Sequence, residues 1–338
     1  MEKDTPRVSI IIVNWNGKEN LKTCLDSLAL QTFRDFEVIL LDNASSDGSA
    51  EFMEKFYPWV RLIKSNVNLG FAKGNNGAFK FAKGEYIVTL NDDTEADFHW
   101  LGELVGCLDE HPEVGFCASK MVNFYDRRLI DRAGDYYTIA GIAVMNGANE
   151  LDGENFNKER YIFGACAGGA IYRRKMIEEI GFFDEDFYIL YEDVDLDFRA
   201  QLAGYKCMFV PTALVYHKGG SSLKKVSSKS LYYGYRNLEF VYIKNFPTML
   251  MFCFLVFHLI YFFLSFLLSL FILKPHIFIK AKIDVIMNLN VLLKKRRIIQ
   301  KNRKVSNFYL FSILQKDWIT PLIKKRINSV IRRLKSGK

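Results

Sequence analysis

Residues 8–42 read VSIIIVNWNGKENLKTCLDSLALQTFRDFEVILLD and carry the pattern of a strand, a helix and a second strand. The apolar run VSIIIV is short and rich in β-branched residues, which indicates a buried strand. Leu21, Leu25 and Leu28 then recur at helical spacing, and FEVILLD supplies the second strand, which ends on Asp42. Such a unit predicts two parallel strands joined by a right-handed crossover.

The same alternation continues along the chain. VRLIKS and YIVTLN predict further strands, with the helical pattern of AKGNNGAFKFAKG between them. Alternating strands and helices predict an α/β fold with a mainly parallel central sheet. Ligands bind such sheets beyond the carboxyl ends of the strands. We therefore expect a site at the residues that follow those ends: Asn14, Asp42, Asn91, Asp92 and Asp93.

The polar run after the strand at residues 86–90 has two interpretations. Adjacent carboxylates repel one another and are costly to desolvate unless a cation or donor compensates. A solvated turn accounts for Asp92 and Asp93 without any ligand. Alternatively, the two carboxylates hold Mg²⁺ or Mn²⁺ while a diphosphate fills the other coordination positions. The run alone does not decide between these interpretations.

A second concentration of acidic residues lies in GFFDEDFYILYEDVDLDFRAQLAGY, residues 181–205. Its carboxylates are interleaved with many apolar residues, which is unusual for a solvated surface. Asp193 is predicted to open a helix running to Ala203, at the positive end of that helix. There it could take a proton from a bound hydroxyl. VPTALVYHKGGSS ends a strand on His217, a candidate metal or phosphate contact. Residues 120–160 are predicted to be an irregular insertion or substrate-binding region.

Composition sets further bounds. The 338 residues allow one large domain with appendages, or two domains. The six cysteines are scattered without a CxxC pair, which argues against a zinc site or a disulfide framework and fits a reducing compartment. The N-terminal sequence MEKDTPRVSIIIVNWNG contains acidic residues and lacks the hydrophobic region of a signal peptide, so we expect the first domain to stay in the cytosol.

The net charge of +8 is unevenly distributed along the chain. From Lys274 onward, 18 Lys and Arg residues accompany two acidic residues, a balance of +16 that leaves −8 on residues 1–273. A basic segment of this kind predicts an anionic partner, either nucleic acid or a membrane surface. The sequence between the two parts decides which partner is expected.

That connecting sequence is MLMFCFLVFHLIYFFLSFLLSLFIL, residues 249–273, which has no formal charge at neutral pH and is long enough to span a bilayer. A simple span would place the basic segment outside the cytosol, against the positive-inside tendency. We therefore favour a re-entrant or in-plane segment over a span. A basic amphipathic helix at the C-terminus also predicts contact with a membrane surface, and hence lipid as the anionic partner. Its apolar face comprises Ile319, Leu322, Ile323, Ile327, Val330, Ile331 and Leu334.

Six stretches, taken together and in order, resemble the inverting glycosyltransferases of family 2. They are VSIIIVNWNG, LLDNASSDGS, NVNLGFAKGNN, LNDDT, the acidic stretch 181–205 and VPTALVYHKGGSS. They are most similar to the rhamnosyltransferase-like group of bacterial polysaccharide biosynthesis. The resemblance covers residues 6–245, including YYGYRNLEF from Tyr232. It implies a nucleotide-binding α/β domain of the GT-A type, followed in this chain by C-terminal membrane-associated helices.

The resemblance and the hydrophobic segment together predict the domain organisation. A GT-A catalytic domain would occupy residues 1–225, with donor binding at about 6–119 and the acceptor and base region at about 120–225. A connecting helix at 226–247, a hydrophobic membrane segment at 248–276 and a basic amphipathic membrane-surface tail at 277–338 would follow.

The resemblance also implies roles for individual residues. Asp93 of the DxD-like motif would be the metal ligand, with His217 completing the metal or diphosphate contacts. Asp193 would be the catalytic base, and Glu192 would orient the acceptor. Gly168 and Gly169 would let the backbone approach the donor sugar or acceptor. The nucleotide would be bound by Val13, Asn14, Asn16, Asp42, Asn66, Asn68, Gly70, Lys73, Asn76, Asn91 and Asp92, with Asp42 accepting the N3–H of uracil or thymine.

The function implied is metal-assisted transfer of a sugar, rhamnose being one candidate, in a single inverting displacement. The donor would be a dTDP- or UDP-sugar, and the acceptor a hydroxyl of a polyprenyl-diphosphate-linked saccharide. The cofactor would be Mg²⁺ or Mn²⁺. The enzyme would work at the cytoplasmic face of the bacterial inner membrane, in contact with its lipids and without a nucleic-acid partner.

Rival functions lack a required feature, with one exception. A nicotinamide-dependent dehydrogenase needs GxGxxG after its first strand, where this chain has NWNGKEN. A haloacid-dehalogenase-like phosphatase needs a nucleophilic aspartate where Leu90 or Asn91 stands. The alternative that stays open is a non-catalytic membrane-associated scaffold with a degenerate nucleotide-sugar fold. It predicts that no nucleotide binds and that replacing Asp93 or Asp193 leaves function intact.

Overall fold

The computed structural model describes residues 5–219 and 227–320. The strands are β1 (Val8–Asn14), β2 (Phe36–Asp42), β3 (Arg61–Lys64), β4 (Tyr86–Leu90), β5 (Thr94–Ala96), β6 (Val114–Asn123), β7 (Ile130–Arg132), β8 (Asp135–Tyr137), β9 (Ala143–Met145), β10 (Arg160–Ile162), β11 (Gly169–Arg173) and β12 (Lys206–His217). The α-helices are α1 (Lys18–Ala29), α2 (Ser49–Phe56), α3 (Gly70–Phe79), α4 (Trp100–Glu110), α5 (Arg174–Ile180), α6 (Glu192–Leu202), α7 (Ser228–Asn245), α8 (Thr248–Phe271), α9 (Pro275–Met287), α10 (Leu289–Lys301) and α11 (Asn307–Ile313).

A ten-stranded sheet forms the centre of the fold. Its main path runs β10-β12-β6-β11-β4-β1-β2-β3, with β5 paired to β12 and β7 paired to β6. Strands β1 to β4 are parallel, and β6 and β12 run in the same direction. Strand β11 lies antiparallel between β4 and β6. The predicted α/β architecture with a mainly parallel sheet is confirmed.

Strand β1 illustrates why these residues form a central strand. Val8, Ile10 and Ile12 point into one hydrophobic cluster, which also contains the predicted apolar face of α1. Ile11 points into a second cluster on the other side of the sheet. Burial on both faces explains the uninterrupted apolar run, and each fully buried aliphatic side chain contributes about 1.5–3 kcal/mol.

The direction of the strands determines where the polar residues collect. Because β1, β2, β4 and β12 run in the same direction, Asn14, Asp42, His217 and the residues after Leu90 meet at one edge of the sheet. Strand β11 runs the opposite way, so its first residue, Gly169, lies at the same edge.

Residues 120–160 are more regular than the sequence predicts, since they contain the end of β6, all of β7 to β9 and the first residue of β10. Strands of three residues are too short to show a hydrophobic period. In the pairing of β7 with β6, Ile130 lies opposite Val122 and Arg132 opposite Met121. Asp131 is therefore the extra residue of a β-bulge, a feature that redirects side chains and often lies next to active sites.

The helices after residue 227 pack against the preceding part of the chain. A third hydrophobic cluster joins the β8–β9 hairpin and α6 to α7, α8 and the later helices. Helix α7 coincides with the predicted connecting helix and α8 with the predicted hydrophobic segment. The predicted surface tail differs in its described part, because residues 275–320 fold onto the protein as α9, α10, α11 and a short end. Residues 321–338, with most of the predicted amphipathic helix, lie outside the described residues.

Within the described residues, α8 is the one helix that is long and apolar enough to cross a membrane. Its length and composition agree with the predicted hydrophobic segment.

Candidate active site

One side of the candidate site is a carboxylate–imidazole pair. Asp93 Oδ1 lies 3.1 Å from Nε2 of His217, and Nδ1 of the same ring lies 2.9 Å from Oδ2 of Asp131. Burial would lower the pKa of His217, but hydrogen bonds and charges from Asp131 and Asp93 raise it to about 10. A carboxylate on the second ring nitrogen is the arrangement that orients metal-binding histidines. We call Asn91, Asp92, Asp93, Asp131 and His217 the strand-end half of the site.

The two adjacent aspartates have different surroundings. Burial, followed by the charge of Asp93, raises the pKa of Asp92 to about 7. Its carboxylate packs against Gly17, where a Cβ atom would come within 2.1 Å of Oδ2. Of these two adjacent aspartates, only Asp93 directs a carboxylate oxygen at Nε2 of His217, so Asp93 and His217 form the donor pair for a cation.

The donor set fits a divalent cation that arrives with its substrate. Among the described residues, no group of three or more His, Cys, Asp or Glu side chains is arranged to hold a metal by itself. Mg²⁺ and Mn²⁺ are commonly bound by one or two protein side chains while substrate phosphates complete the coordination. One carboxylate and one oriented imidazole at the sheet edge match that pattern.

The ends of β1 and β2 form a hydrogen-bonded polar wall. Asn14 Nδ2 donates to Asp42 Oδ1 and to Ser45 Oγ, both at 3.1 Å, and the Ser45 amide donates to Asp42 Oδ2 at 3.2 Å. Asn14 Oδ1 is buried and has no hydrogen-bond partner in the described chain. An unpartnered buried acceptor at this edge is a polar atom that a ligand could satisfy.

The remaining predicted nucleotide residues differ in their surroundings. Asn68 Oδ1 accepts from the Gly70 amide at 2.9 Å and from the Tyr188 hydroxyl at 3.2 Å. Gly70 has a φ of +78°, and a Cβ there would come within 2.6 Å of Tyr188. Asn76 bonds both the amide and the carbonyl of Phe183, so its side chain holds α3 to the following segment. Val13 is half-buried, whereas the following are exposed: Asn16, Asn66 and Lys73.

The other side of the site is the turn that precedes α6. Tyr188, Leu190 and Tyr191 have φ values of 63°, 69° and 70°, which for non-glycine residues cost about 1–3 kcal/mol each. Asn237 of α7 holds this turn, because its Nδ2 lies 2.7–3.0 Å from the backbone carbonyls of residues 187, 189 and 190. We call residues 187–193, together with Arg132 and Asp135, the turn half of the site.

The structure distinguishes the two carboxylates of the predicted catalytic pair. Helix α6 begins at Glu192, one residue before the predicted start at Asp193. Burial, followed by the charge of Asp193, raises the pKa of Glu192 well above its ordinary value. Asp193 is partly exposed, and its Oδ2 lies 3.4 Å from the Ala167 amide and 3.7 Å from Nη1 of Arg132. Asp193 is therefore the member of the pair whose carboxylate a substrate hydroxyl could reach.

Three other carboxylates of the acidic stretch are already held in ion pairs with lysines. Asp184 and Asp195 both pair with Lys244, and Lys295 pairs with Asp184 and Asp186. Burial would raise the pKa of Asp184, but Lys244 and Lys295 hold it well below its ordinary value. These ion pairs join the segment around Asp193 to α7 and α10, which leaves Asp193 as the carboxylate of the stretch that faces Arg132.

Sequence reasoning missed several residues of the site. Arg132 Nε lies 3.4 Å from Oδ1 of Asp135, and burial raises the pKa of Asp135 to about 7 even though Arg132 opposes the shift. Asp131 and Asn237 were also missed. The only local signal was the charged pair Asp131–Arg132 inside the apolar surroundings of LIDRA.

Two pairs of consecutive residues join the halves. Asp131 contacts His217, and Arg132 contacts Asp193. In the same way, the Ala167 amide faces Asp193 while the carbonyl of Gly168 accepts from the Asn91 amide at 3.1 Å. A Cβ at Gly168 would come within 2.9 Å of the Asn91 side chain, whereas Gly169 has room. The imidazole pair and the Asp193 carboxylate are therefore connected through two pairs of adjacent residues.

A cavity of about 500 Å³ opens at the turn between β1 and α1. Lys18 and Lys218 line it, and Asn16 is the only predicted site residue among its lining residues. The cavity therefore adjoins the predicted site at Asn16, and its lining combines these two lysines with two acidic residues, Glu19 and Asp47.

Comparison with known proteins identifies relatives. The family model described as "Glycosyl transferase family 2" matches residues 9–181. The chain is 31% identical over 232 residues to the O-antigen biosynthesis protein RfbC of Myxococcus xanthus, covering 65% of this chain and 18% of that protein. It is 25% identical over 242 residues to the N-acetylglucosaminyl-diphospho-decaprenol L-rhamnosyltransferase of Mycobacterium tuberculosis, covering 63% of this chain and 76% of that protein. The match thus spans a small part of the first relative and most of the second.

Solved structures are similar at the level of the fold. A mannosyltransferase from Pyrobaculum calidifontis, PcManGT in complex with GDP-Man and Mn²⁺, superposes with a TM-score of 0.52 at 17% identity. The superposition covers 92% of this chain and 84% of that one. At this identity the likeness concerns the fold alone, and it confirms the GT-A type predicted from the sequence.

Proposed function

The chain belongs to glycosyl transferase family 2, and on that premise we propose that it transfers a sugar from a nucleoside diphosphate to a hydroxyl of a lipid-linked saccharide, with inversion. The observation that carries the proposal is the junction of the two halves. The Asp93–His217 pair, suited to a cation and diphosphate, is connected to the partly exposed Asp193 carboxylate through Asp131–Arg132 and through Ala167–Gly168.

For the donor we propose a dTDP- or UDP-sugar. A carboxylate at Asp42 can accept the N3–H that uracil and thymine share, and the unpartnered Asn14 Oδ1 lies in the same wall. The relative from M. tuberculosis is named as a rhamnosyltransferase, which supports rhamnose as one candidate sugar. The proposed nucleotide site comprises Val13, Asn14, Asn16, Asp42, Asn66, Asn68, Gly70, Lys73, Asn76, Asn91 and Asp92.

Asp93 and His217 would hold Mg²⁺ or Mn²⁺. When bound there, such a cation neutralises the negative charge that develops on the departing diphosphate. Asp131 fixes the orientation of the imidazole through Nδ1. The chemistry of this donor pair therefore supports a metal-assisted reaction.

In the proposed mechanism, the Asp193 carboxylate accepts the proton of the acceptor hydroxyl. The acceptor oxygen attacks the anomeric carbon while the bond to the diphosphate breaks, and the nucleoside diphosphate leaves with the bonding electrons. One displacement inverts the configuration without a covalent intermediate. Glu192 supports the position of the acceptor, and the small residues Gly168 and Gly169 leave space for the sugar. Positioning the two substrates supplies much of the acceleration.

The proposed acceptor is a polyprenyl-diphosphate-linked saccharide at the cytoplasmic face of the bacterial inner membrane. The apolar helix α8 supports a membrane location, and the name of the M. tuberculosis relative includes a decaprenol carrier. We further propose that residues 1–225 form the catalytic domain and that the segments after it attach it to the membrane.

A thermal-shift titration of the detergent-purified protein tests the donor site. UDP, dTDP, GDP and CDP are each added with and without Mn²⁺, because a ligand that binds only the native state raises its stability by mass action. We expect UDP or dTDP to stabilise the protein only with Mn²⁺. The Asp93→Ala variant should lose this effect, whereas Glu110→Ala, at an exposed position on α4, should keep it. A folded protein that no nucleotide stabilises would instead support the scaffold alternative.

A further inference from the structure

We propose that α8 lies in the plane of one membrane leaflet instead of crossing the bilayer, and that α8 and α9 together form the lipid-contacting surface. This inference deepens the membrane part of the proposed function and rests on it. It is argued from the contacts of α8 along its length and from the charges around it.

The inner face of α8 packs on the protein from one end of the helix to the other. Leu250, His258, Ser265 and Ser269 are buried, and they occur on one side of the helix. From Leu250 to Ser269 this face extends about 28 Å at about 1.5 Å per residue. The three polar residues of the set all point inward, so the polar side of α8 is the side that faces the protein.

His258, in the middle of α8, is joined to the catalytic part of the chain. Nδ1 lies 2.9 Å from the Ala140 carbonyl, and Nε2 lies 3.0 Å from Oε2 of Glu239 on α7. Its ring stacks on Tyr242 at 3.8 Å, and Lys282 of α9 donates to Oε1 of Glu239 at 2.5 Å. Burial would raise the pKa of Glu239, but the hydrogen bond from His258 and the charge of Lys282 hold it at about 2.

Aromatic residues on both sides of His258 also contact other helices of the protein. Near its start, Phe254 stacks on Phe311 of α11 at 5.7 Å, and Phe257 lies 6.2 Å from Trp318. Toward its end, Phe262 and Phe266 lie 5.2 and 5.6 Å from Phe278 of α9. Other parts of the protein therefore contact α8 along both halves and at its centre.

These contacts argue against a helix that crosses the bilayer. A crossing would carry the Ala140 loop, Glu239 and Lys282 to the depth of the hydrocarbon core, together with the loop and helix backbone beside them. Irregular backbone exposed to lipid does not occur at that depth, and buried charges there are costly. An in-plane helix keeps all of these groups on the aqueous side of α8.

The outer face of α8 is apolar and exposed. Phe252, Val256, Leu259 and Phe263 are 74%, 56%, 55% and 58% exposed. Helix α9 adds an exposed stripe at Ile279, Ile283, Ile286 and Met287. Contiguous apolar surfaces of this kind mark interaction sites on proteins.

The charges around this face select an anionic lipid surface as its occupant. Between residues 274 and 320 the chain has eleven Lys and Arg residues and two acidic residues, Asp284 and Asp317. Lys280 on α9 and Lys294, Arg297 and Lys301 on α10 are exposed. An apolar face followed in the chain by helices with exposed basic side chains is complementary to an apolar leaflet with anionic headgroups.

Depth-dependent fluorescence quenching on the full chain tests the arrangement. In a Cys253→Ser background, single cysteines replace Phe252, Leu259, Phe263 and Leu270 on the outer face and carry an environment-sensitive fluorophore. The probe is a vesicle of phosphatidylethanolamine and phosphatidylglycerol containing lipids quenched at known depths. We expect all four positions to report a similar, shallow depth, and Val67→Cys on the catalytic domain to report none. A profile that is deepest at positions 259 and 263 would overturn the proposal, because both a span and a re-entrant hairpin produce it.

Substitutions on the outer face provide a second measurement. Phe252→Glu and Phe263→Glu should each weaken vesicle binding about tenfold or more, since each removes apolar area from the leaflet. Phe56→Glu, at an exposed phenylalanine of α2, should not weaken binding. Equal binding of all three variants, or a folded protein that ignores vesicles and pairs through this face with a second copy, would overturn the proposal.

Nucleotide titration in detergent separates this inference from the proposed function. The metal-dependent stabilisation by UDP or dTDP should be the same in the outer-face variants and in the unsubstituted protein. If vesicle binding fails while nucleotide binding persists, the membrane arrangement is wrong and the donor site stands. If vesicle binding occurs at shallow depth without nucleotide binding, the arrangement stands and the glycosyltransferase proposal fails.

Discussion

The two halves of the site are built in different ways. The strand-end half consists largely of residues that directly follow parallel strands, so the sheet itself delivers Asp93 and His217 to one edge. The turn half rests on backbone with three positive φ values, held by side chains of α7 that lie more than forty residues further along the chain. One half is therefore a product of topology, and the other is a product of tertiary contacts.

This difference implies that the halves can be damaged separately. Substitutions in the strand-end half should act on metal and nucleotide binding, while those in the turn half should act on the transfer step or on folding. Substitutions at the linking residues should affect both halves. These residues are Asp131, Arg132, Ala167 and Gly168.

The largest effect is expected from Asp193→Asn. Removing a general base lowers transfer by about 10²–10⁴-fold, whereas Mn²⁺-dependent stabilisation by UDP or dTDP should be unchanged. Transfer rates and thermal shifts on the same preparation measure both quantities. Asp197→Asn is the matched control, because burial first, and then nearby carboxylates, already raise the pKa of Asp197 well above its ordinary value. Loss of nucleotide binding in Asp193→Asn would show that the halves are not separable.

Lys244→Met should produce the next largest effect, a loss of about 3–5 kcal/mol in the free energy of unfolding, because it leaves buried carboxylates without a shared cation. Lys244 is 1% exposed and lies 2.8 Å from Asp195. Denaturant unfolding across pH measures the loss, with exposed Lys301→Met as control.

The pH dependence of that loss has a definite sign. Burial opposes the shift, but Lys244 and its neighbours lower the folded-state pKa of both Asp184 and Asp195. Their contribution is therefore complete above the unfolded value of about 3.9 and is lost as pH falls below it. The gap between the unsubstituted protein and Lys244→Met should narrow toward pH 2. A constant gap would mean that the two ion pairs do not anchor the turn half.

Asp131→Asn tests the strand-end half of the site. Removing the carboxylate that orients a metal-binding histidine typically costs 10–100-fold in metal affinity. Titration of Mn²⁺ in the presence of the stabilising nucleotide should show this decrease. Asp126→Asn, which alters an exposed partner of Arg128 a few residues earlier, should leave the affinity unchanged. An unchanged affinity in Asp131→Asn would remove His217 from the proposed metal site.

The smallest effect is expected from Asn237→Ala. The substitution leaves carbonyls of the strained turn without a donor, at about 1–3 kcal/mol of stability. Because the turn presents Asp193, kcat should fall about tenfold while the donor KM stays the same. Asn288→Ala, which removes one amide–carbonyl bond at the end of α9, is the control. A change in the donor KM without a change in kcat would contradict a positioning role for Asn237.

The sequence predicts the strand-end half better than the turn half for physical reasons. Apolar runs such as VSIIIV and YIVTL are each followed by a polar residue. A short stretch of sequence therefore predicts the strand, the residue at which it ends and the edge of the sheet where a ligand binds. The family resemblance implies that His217 acts with Asp93, and the structure brings the two side chains to 3.1 Å. The roles assigned to these residues stay predictions until binding is measured.

The missed residues share a different cause. Asp131 belongs to a strand of three residues, which is too short to show a period, and it occupies a bulge that no local pattern marks. Asn237 acts on a turn about fifty residues earlier in the chain, and Lys244 acts on carboxylates at a similar separation. Such long-range pairings depend on how α7 packs, and helix packing is not encoded in any single stretch.

Asp131 makes the pairing of β6 with β7 irregular, and it is also a residue that the proposed site uses. Deleting that one residue would let β7 continue in step with β6 and would complete the ladder between them. The same deletion would remove the carboxylate beside His217 and would change the position of the Arg132 side chain relative to Asp193. A laboratory selection for heat resistance alone, with no requirement for sugar transfer, should therefore favour loss of this residue, since stabilising a strained site commonly costs function and only function would oppose the loss.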